Sequence, residues 1–189
     1  MTAGGEMTPA GAVPAPHERP LVERVVRGAT GGAVAGLVGT LGMSLLMLPA
    51  QRLGLLGTQP PRRLSDRVID TAGLGSHVDE PQRRAGTTLT HLATGAIAGA
   101  VLGGFRGAAK GPRLTPVAGT LFGAGFWAMA YVLVAPAIEL FPRPDRDRPG
   151  RPPVMLAAHV IYGVITAILI EAMLGGSAAE DRRRRLPGR

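Results

Sequence analysis

The chain has 189 residues, among them 28 Gly, 20 Arg, a single Lys and 13 acids, for a formal net charge of +8. It has no Cys, which excludes a disulfide framework, a thiolate metal site and a catalytic thiol. Seven aromatic residues are few for a water-soluble core of this length.

Residues 1–20 are rich in Ala, Gly and Pro and read as a disordered tail. They hold no apolar segment of the kind that marks a signal peptide. Beyond them, charge is missing from four long runs. Arg27 and Arg52 are separated by 24 uncharged residues, Arg84 and Arg106 by 21, Arg113 and Glu139 by 25, and Arg151 and Glu171 by 19. A hydrocarbon core ~30 Å thick takes about 20 helical residues to cross. In lipid only helices and closed barrels satisfy the backbone, and the alternation of a barrel is absent. The expectation is an all-α integral membrane four-helix bundle over 21–176. Its spans lie at about 28–50, 86–105, 114–138 and 154–174.

Leu21 to Arg27 form an amphipathic approach to the first span. In the polar stretch 51–86, Pro61 opens a short helix in which Leu64, Val68, Ile69 and Ala72 share one face. Arg62, Arg63, Asp66, Arg67 and Asp70 share the other, which suits an interfacial helix, a solvated loop being the alternative. The link Arg106 to Arg113 carries three positive charges and no acid. The tail 177–189 is polar and basic, and its Arg182–Arg185 cluster suits anionic headgroups. That cluster and the all-positive link favour cytoplasmic termini, with both polar loops outside.

Small residues recur every four positions in two spans. Gly28, Gly32, Gly36, Thr40 and Ser44 mark the first, and Thr87, His91, Gly95, Gly99, Gly103 and Gly107 the second. Such stripes let backbones approach closely, and packing then replaces the hydrophobic drive that lipid removes. In the third span Gly119 and Gly123 lead at the same step to Trp127 and Tyr131. Trp127 sits mid-span, which favours a bundle-interior or oligomer contact over an interfacial belt. Two spans also open on His-x-x-x-Gly, His91 to Gly95 and His159 to Gly163. Each follows a polar link holding a Pro pair, Pro60-Pro61 and Pro152-Pro153. This pattern suggests two duplicated helical hairpins.

Ionisable groups at membrane depth are functional candidates. His91 and His159 fit three roles: packing through a hydrogen bond, a proton- or solute-contacting pair, or bis-His ligation of a b-type haem. Tyr162 lies beside the stripe His159, Gly163, Ala167 and Glu171. Glu171 and Glu139, near span ends, read as reaching the interface. Phosphate-loop, zinc-protease and nucleophile-elbow motifs are absent, and no metal or cofactor is expected. Asp66, Asp70, His77, Asp79 and Glu80 read as a solvated loop, with no cation-site spacing. The Arg residues are dispersed and lack an aromatic platform, which argues against nucleic acid.

The Ala35-Gly36 region, Pro60-Pro61, the stretch from Pro116-Val117-Ala118-Gly119 to Pro136, Pro152-Pro153, and the last span around His159 together resemble the YagU-like bacterial inner-membrane proteins. The similarity runs as a pattern over about 28–185. It implies a small multi-span inner-membrane protein and supplies no catalytic residues. The expected function is non-enzymatic: packing, homo-oligomer formation or partner binding in the lipid bilayer. The alternatives are a small-solute or proton pathway through His91, His159 and Tyr162, and a haem-binding redox subunit.

Overall fold

A computed structural model describes residues 19–57, 60–109 and 113–185, with backbone alone for residue 60 and for 176–185. Nearly all of the expected disordered tail, together with Lys110 and residues 186–189, lies outside the described residues. The architecture is all-α. In chain order it comprises α1 (Leu21–Arg52), α2 (Pro60–Thr71), α3 (Glu80–Ala108), α4 (Pro116–Trp127), a π-helical segment (Ala128–Val134), α5 (Ala135–Ala137) and α6 (Arg151–Arg185). Four helical stretches are long and apolar enough to cross a membrane: Leu21–Arg52, Glu80–Ala108, Pro116–Ala137 and Arg151–Gly175.

The helices overrun the uncharged runs because local chemistry extends them. At the start of α3 the Asp79 carboxylate accepts from the Gln82 N–H at 2.9 Å, and the Gln82 side chain accepts from the Asp79 N–H at 2.9 Å. This reciprocal cap starts the helix ahead of the apolar run. At α4, the Thr115 hydroxyl accepts from the Ala118 N–H at 3.1 Å, with Pro116 in the first turn. α6 continues through the basic segment to Arg185. The third span is not a uniform α-helix. Its turns widen over Ala128–Val134 and end at Pro136, which has no N–H and whose ring crowds the carbonyl four residues back.

The spans pack as a row: α3 on α1, α1 on α6, α6 on α4. Glycine sets two of these crossings. A Cβ on Gly28, Gly32 or Gly36 would overlap the carbonyl oxygen of Gly103, Gly99 or Gly95 in turn. Likewise, a Cβ on Gly119 or Gly123 would strike the carbonyl of Gly163 or His159. In both antiparallel hairpins the glycine of His-x-x-x-Gly takes part in the close approach. Between them, Gly39 lies against Tyr162 and Thr166.

Polar ties hold both ends. Arg24 donates to the last carbonyls of α3, Gly107 at 3.0 Å and Ala108 at 2.6 Å, where a cation also meets the helix dipole. Glu171 pairs with Arg106 and accepts from the Leu114 N–H at 2.9 Å, joining α6, α3 and the approach to α4. At the other end, buried Arg151 donates to the Leu56 carbonyl at 2.6 Å and to Asp147 at 2.8 Å. Asp147 also accepts from the Tyr131 hydroxyl.

Candidate functional site

α3 and α4 are the outer members of the row, and among the described residues they make no extensive contact. Where they part, at the end away from Leu21 and Arg185, the bundle forms a partly open cavity of about 300 Å³. That is about twice the ~150 Å³ of a cavity that takes up benzene. Its walls are Thr40, Met43 and Met47 of α1, Thr90, His91, Thr94 and Gly95 of α3, and Met155, His159 and Tyr162 of α6. Phe126 and the π-helical residues Met129, Ala130, Tyr131 and Val134 close the fourth side. The widened turns thus fall on the cavity wall, a frequent association of π-helical turns with functional sites.

α2 covers the loop-side end, with Pro61 and Leu64 in the lining. Its expected apolar face is divided: Leu64 turns to the cavity while Val68 stays exposed. Arginines dock it. Arg63 donates to the Leu140 carbonyl at 3.0 Å and lies 4.4 Å from the Phe141 ring centre, and Arg67 donates to the Ile138 carbonyl. Asp66 accepts from Arg62 at 2.8 Å and from Arg83 of α3 at 3.0 Å. Burial alone would raise the Asp66 carboxyl, but these two guanidinium hydrogen bonds outweigh it and hold it below the ordinary carboxylate range. Arg62 also meets Glu80 at 2.8 Å. The acids of the first polar stretch are therefore drawn largely to arginines. No group of three metal-ligating side chains occurs among the described residues.

The polar hydrogens of the wall can be accounted for one by one. Thr40 donates to the Gly36 carbonyl at 2.8 Å, Thr94 to Thr90 at 2.7 Å, Tyr162 to Gly95 at 2.6 Å, and Tyr131 to Asp147. His159 Nδ1 lies 2.7 Å from the Met155 carbonyl, which can only accept, so Nδ1 carries the proton. Ser44 spends its one hydrogen on the Thr40 carbonyl at 2.8 Å, so its 3.3 Å contact with His91 Nε2 requires Nε2 to donate. Neutral imidazoles so fixed leave lone pairs on His91 Nδ1 and His159 Nε2. Neither atom has a partner among the described residues, and neither is sealed from accessible space. Thr90 apart, the wall offers acceptors and no spare donor.

Of the residues singled out from sequence, His91, His159, Tyr162 and Tyr131 meet at this cavity. Trp127 packs behind it, 5.8 Å from the Tyr131 ring, with a buried Nε1 that has no hydrogen-bond partner among the described residues. Glu171 is elsewhere, in its tie to Arg106 and Leu114. The stripe joining it to His159 is not an open track. Gly163 is pressed against Gly119 and Gly123, and a Cβ on Gly119 would stand 3.0 Å from the Ala167 Cβ.

Sequence reasoning missed the four lining methionines, Phe126 and the Asp147–Arg151 pair. The nearest available signal was Met43 and Met47, one turn apart at the end of the first small-residue stripe. The comparisons add no chemistry. No curated protein and no solved structure matches the chain. A family model does match, over residues 26–180, and on that match the chain belongs to the family of unknown function DUF6789.

Proposed function

We propose that the chain is a multi-pass protein of the bacterial cytoplasmic membrane, non-enzymatic, whose cavity between α3 and α4 receives a small apolar molecule. The observation that carries this is the cavity itself: methionine and aromatic walls, a docked helical cover, and two imidazole nitrogens with uncommitted lone pairs. Such a site, mostly apolar with a few polar atoms, has the make-up of a ligand pocket.

The membrane setting rests on the outward side chains. Leu41, Leu45, Val101, Phe105, Leu121, Leu133 and Ile168 are all exposed, a surface that lipid or a second copy of the chain would cover. The short link with Arg106 and Arg113, and the run Arg182–Arg185, whose charge suits anionic headgroups, favour cytoplasmic termini. The likeness to YagU-like inner-membrane proteins points to the same location. Cysteines placed singly in this Cys-free chain test the topology: Ser76→Cys should label from outside and Ser177→Cys from inside.

The binding test is a titration of the full chain in nanodiscs with naphthalene. Saturable uptake above that of empty nanodiscs, lost in an Ala130→Phe variant that fills the cavity, is the expected result. Uptake no greater than that of empty discs would end the reading. A proton or solute flux lost in folded His91→Ala and His159→Ala variants would favour the pathway alternative. A Soret band in the purified protein would favour the haem alternative.

A further inference from the structure

The balance of donors and acceptors on the cavity wall narrows the ligand further, and this step rests on the binding reading above. We propose that the cavity selects a neutral, ring-sized hydroxyl compound of the phenol or hydroquinone class, taken up from the lipid phase, in preference to its ether or quinone counterpart.

The argument has three parts. First, the wall is complementary to hydrogen-bond donors. His91 Nδ1 and His159 Nε2 accept, while Tyr162, Tyr131, Thr40 and Thr94 have already spent their hydrogens inside the protein. A ligand hydroxyl meets a partner there. A ligand carbonyl meets mainly lone pairs, with the Thr90 hydroxyl the one uncommitted donor on the wall, and elsewhere loses its own hydrogen bonds on entry. Second, the site disfavours charge. Among its lining residues none is Asp, Glu, Lys or Arg, so an ammonium or carboxylate would be desolvated without a counter-ion. Third, the apolar wall suits an aromatic ring. Met43, Met47, Met129 and Met155 supply adaptable thioethers that make favourable contacts with ring edges, and Phe126 stands 5.7 Å from the His159 ring. The volume of about 300 Å³ accommodates one or two fused rings.

The acceptors themselves are held in place by the fold. The Met155 carbonyl fixes the His159 proton one turn back on α6, and the Thr40–Ser44 relay on α1 fixes the His91 proton. The tautomers that present Nε2 and Nδ1 as acceptors are thus set before any ligand arrives.

The test compares 1-naphthol with 1-methoxynaphthalene and with naphthalene, titrated into the full chain in nanodiscs, with empty discs of the same lipid subtracted. Naphthol should bind at least tenfold more tightly than the ether, and naphthohydroquinone at least tenfold more tightly than naphthoquinone. Replacing both acceptors, His91→Phe with His159→Phe, keeps the wall apolar and should remove the advantage of naphthol over its ether. The wild-type comparison needs no substitution, so a misfolded variant does not blunt it. Equal affinities for naphthol and its ether, with naphthalene still bound, would overturn the donor selection and leave the binding site standing. Failure of all the ligands to bind would remove both.

Discussion

The Tyr162 hydroxyl donates to the Gly95 carbonyl across 2.6 Å, so the hairpin ending in α6 is tied to the hairpin containing α3 at the base of the cavity. Tyr162 is buried, and α3 and α6 otherwise touch little. Tyr162→Phe keeps the ring and removes the tie. The expected loss is about 1 kcal/mol, the usual worth of one such bond. Thermal unfolding in detergent should show a lowered midpoint with unchanged helix content.

Gly99 and Gly125 provide a paired test of close helix approach. A Cβ on Gly99 would overlap the Gly32 carbonyl and stand 2.8 Å from the Gly36 Cα, whereas one on Gly125 meets nothing within 4 Å. Gly99→Ala must push α1 and α3 apart and should cost about 1–3 kcal/mol or prevent assembly. Gly125→Ala should be neutral or gain up to about 1 kcal/mol from helix propensity. Size-exclusion profiles and unfolding midpoints of the two variants decide the matter.

Asp147 is the hub of the loop-side end, accepting from Arg151 at 2.8 Å and from Tyr131. Its side chain and that of Arg151 are both almost fully buried. Asp147→Ala strands the guanidinium and should cost about 3–5 kcal/mol. Tyr131→Phe leaves the ion pair intact and should cost only about 1 kcal/mol. If the two variants were equally stable, the ion pair would not be what holds this end together.

Glu139 adopts a left-handed backbone, with φ of 55°, just after α5. It is exposed and shows no ion pair among the described residues, so its side chain offsets none of that strain. Glu139→Gly should raise stability by about 1–2 kcal/mol. An unfolding midpoint no higher than that of the parent chain would count against the assigned turn.

Docking of α2 should depend on pH through Asp66. Its carboxyl is held below the ordinary range in the folded state, so its contribution is complete above the unfolded value of ~3.9 and declines as pH falls through the lowered folded value. A spin label at exposed Val68, introduced as Val68→Cys, should keep one mobility from neutrality down to about pH 5 and loosen only in stronger acid. With Asp66→Asn the label should be looser already at neutral pH.

Much of this architecture is legible in the residue order. Four charge-free runs dictate four apolar helices, because a charge deep in hydrocarbon is costly. The four-residue recurrence of Gly28, Gly32 and Gly36, and of Gly95, Gly99 and Gly103, marks faces without Cβ atoms, since side chains one turn apart share a helix surface. Which face meets which is another matter. Only the folded chain pairs Gly32 with Gly99 and Gly119 with Gly163, gathers His91, His159 and four methionines around one cavity, and sends Glu171 to Arg106 instead. Periodicity reports the solvent each residue prefers, a property of its own stretch of helix. The partner it finds depends on how distant stretches cross, and on breaks such as the π-helical turns before Pro136 that re-aim a whole face.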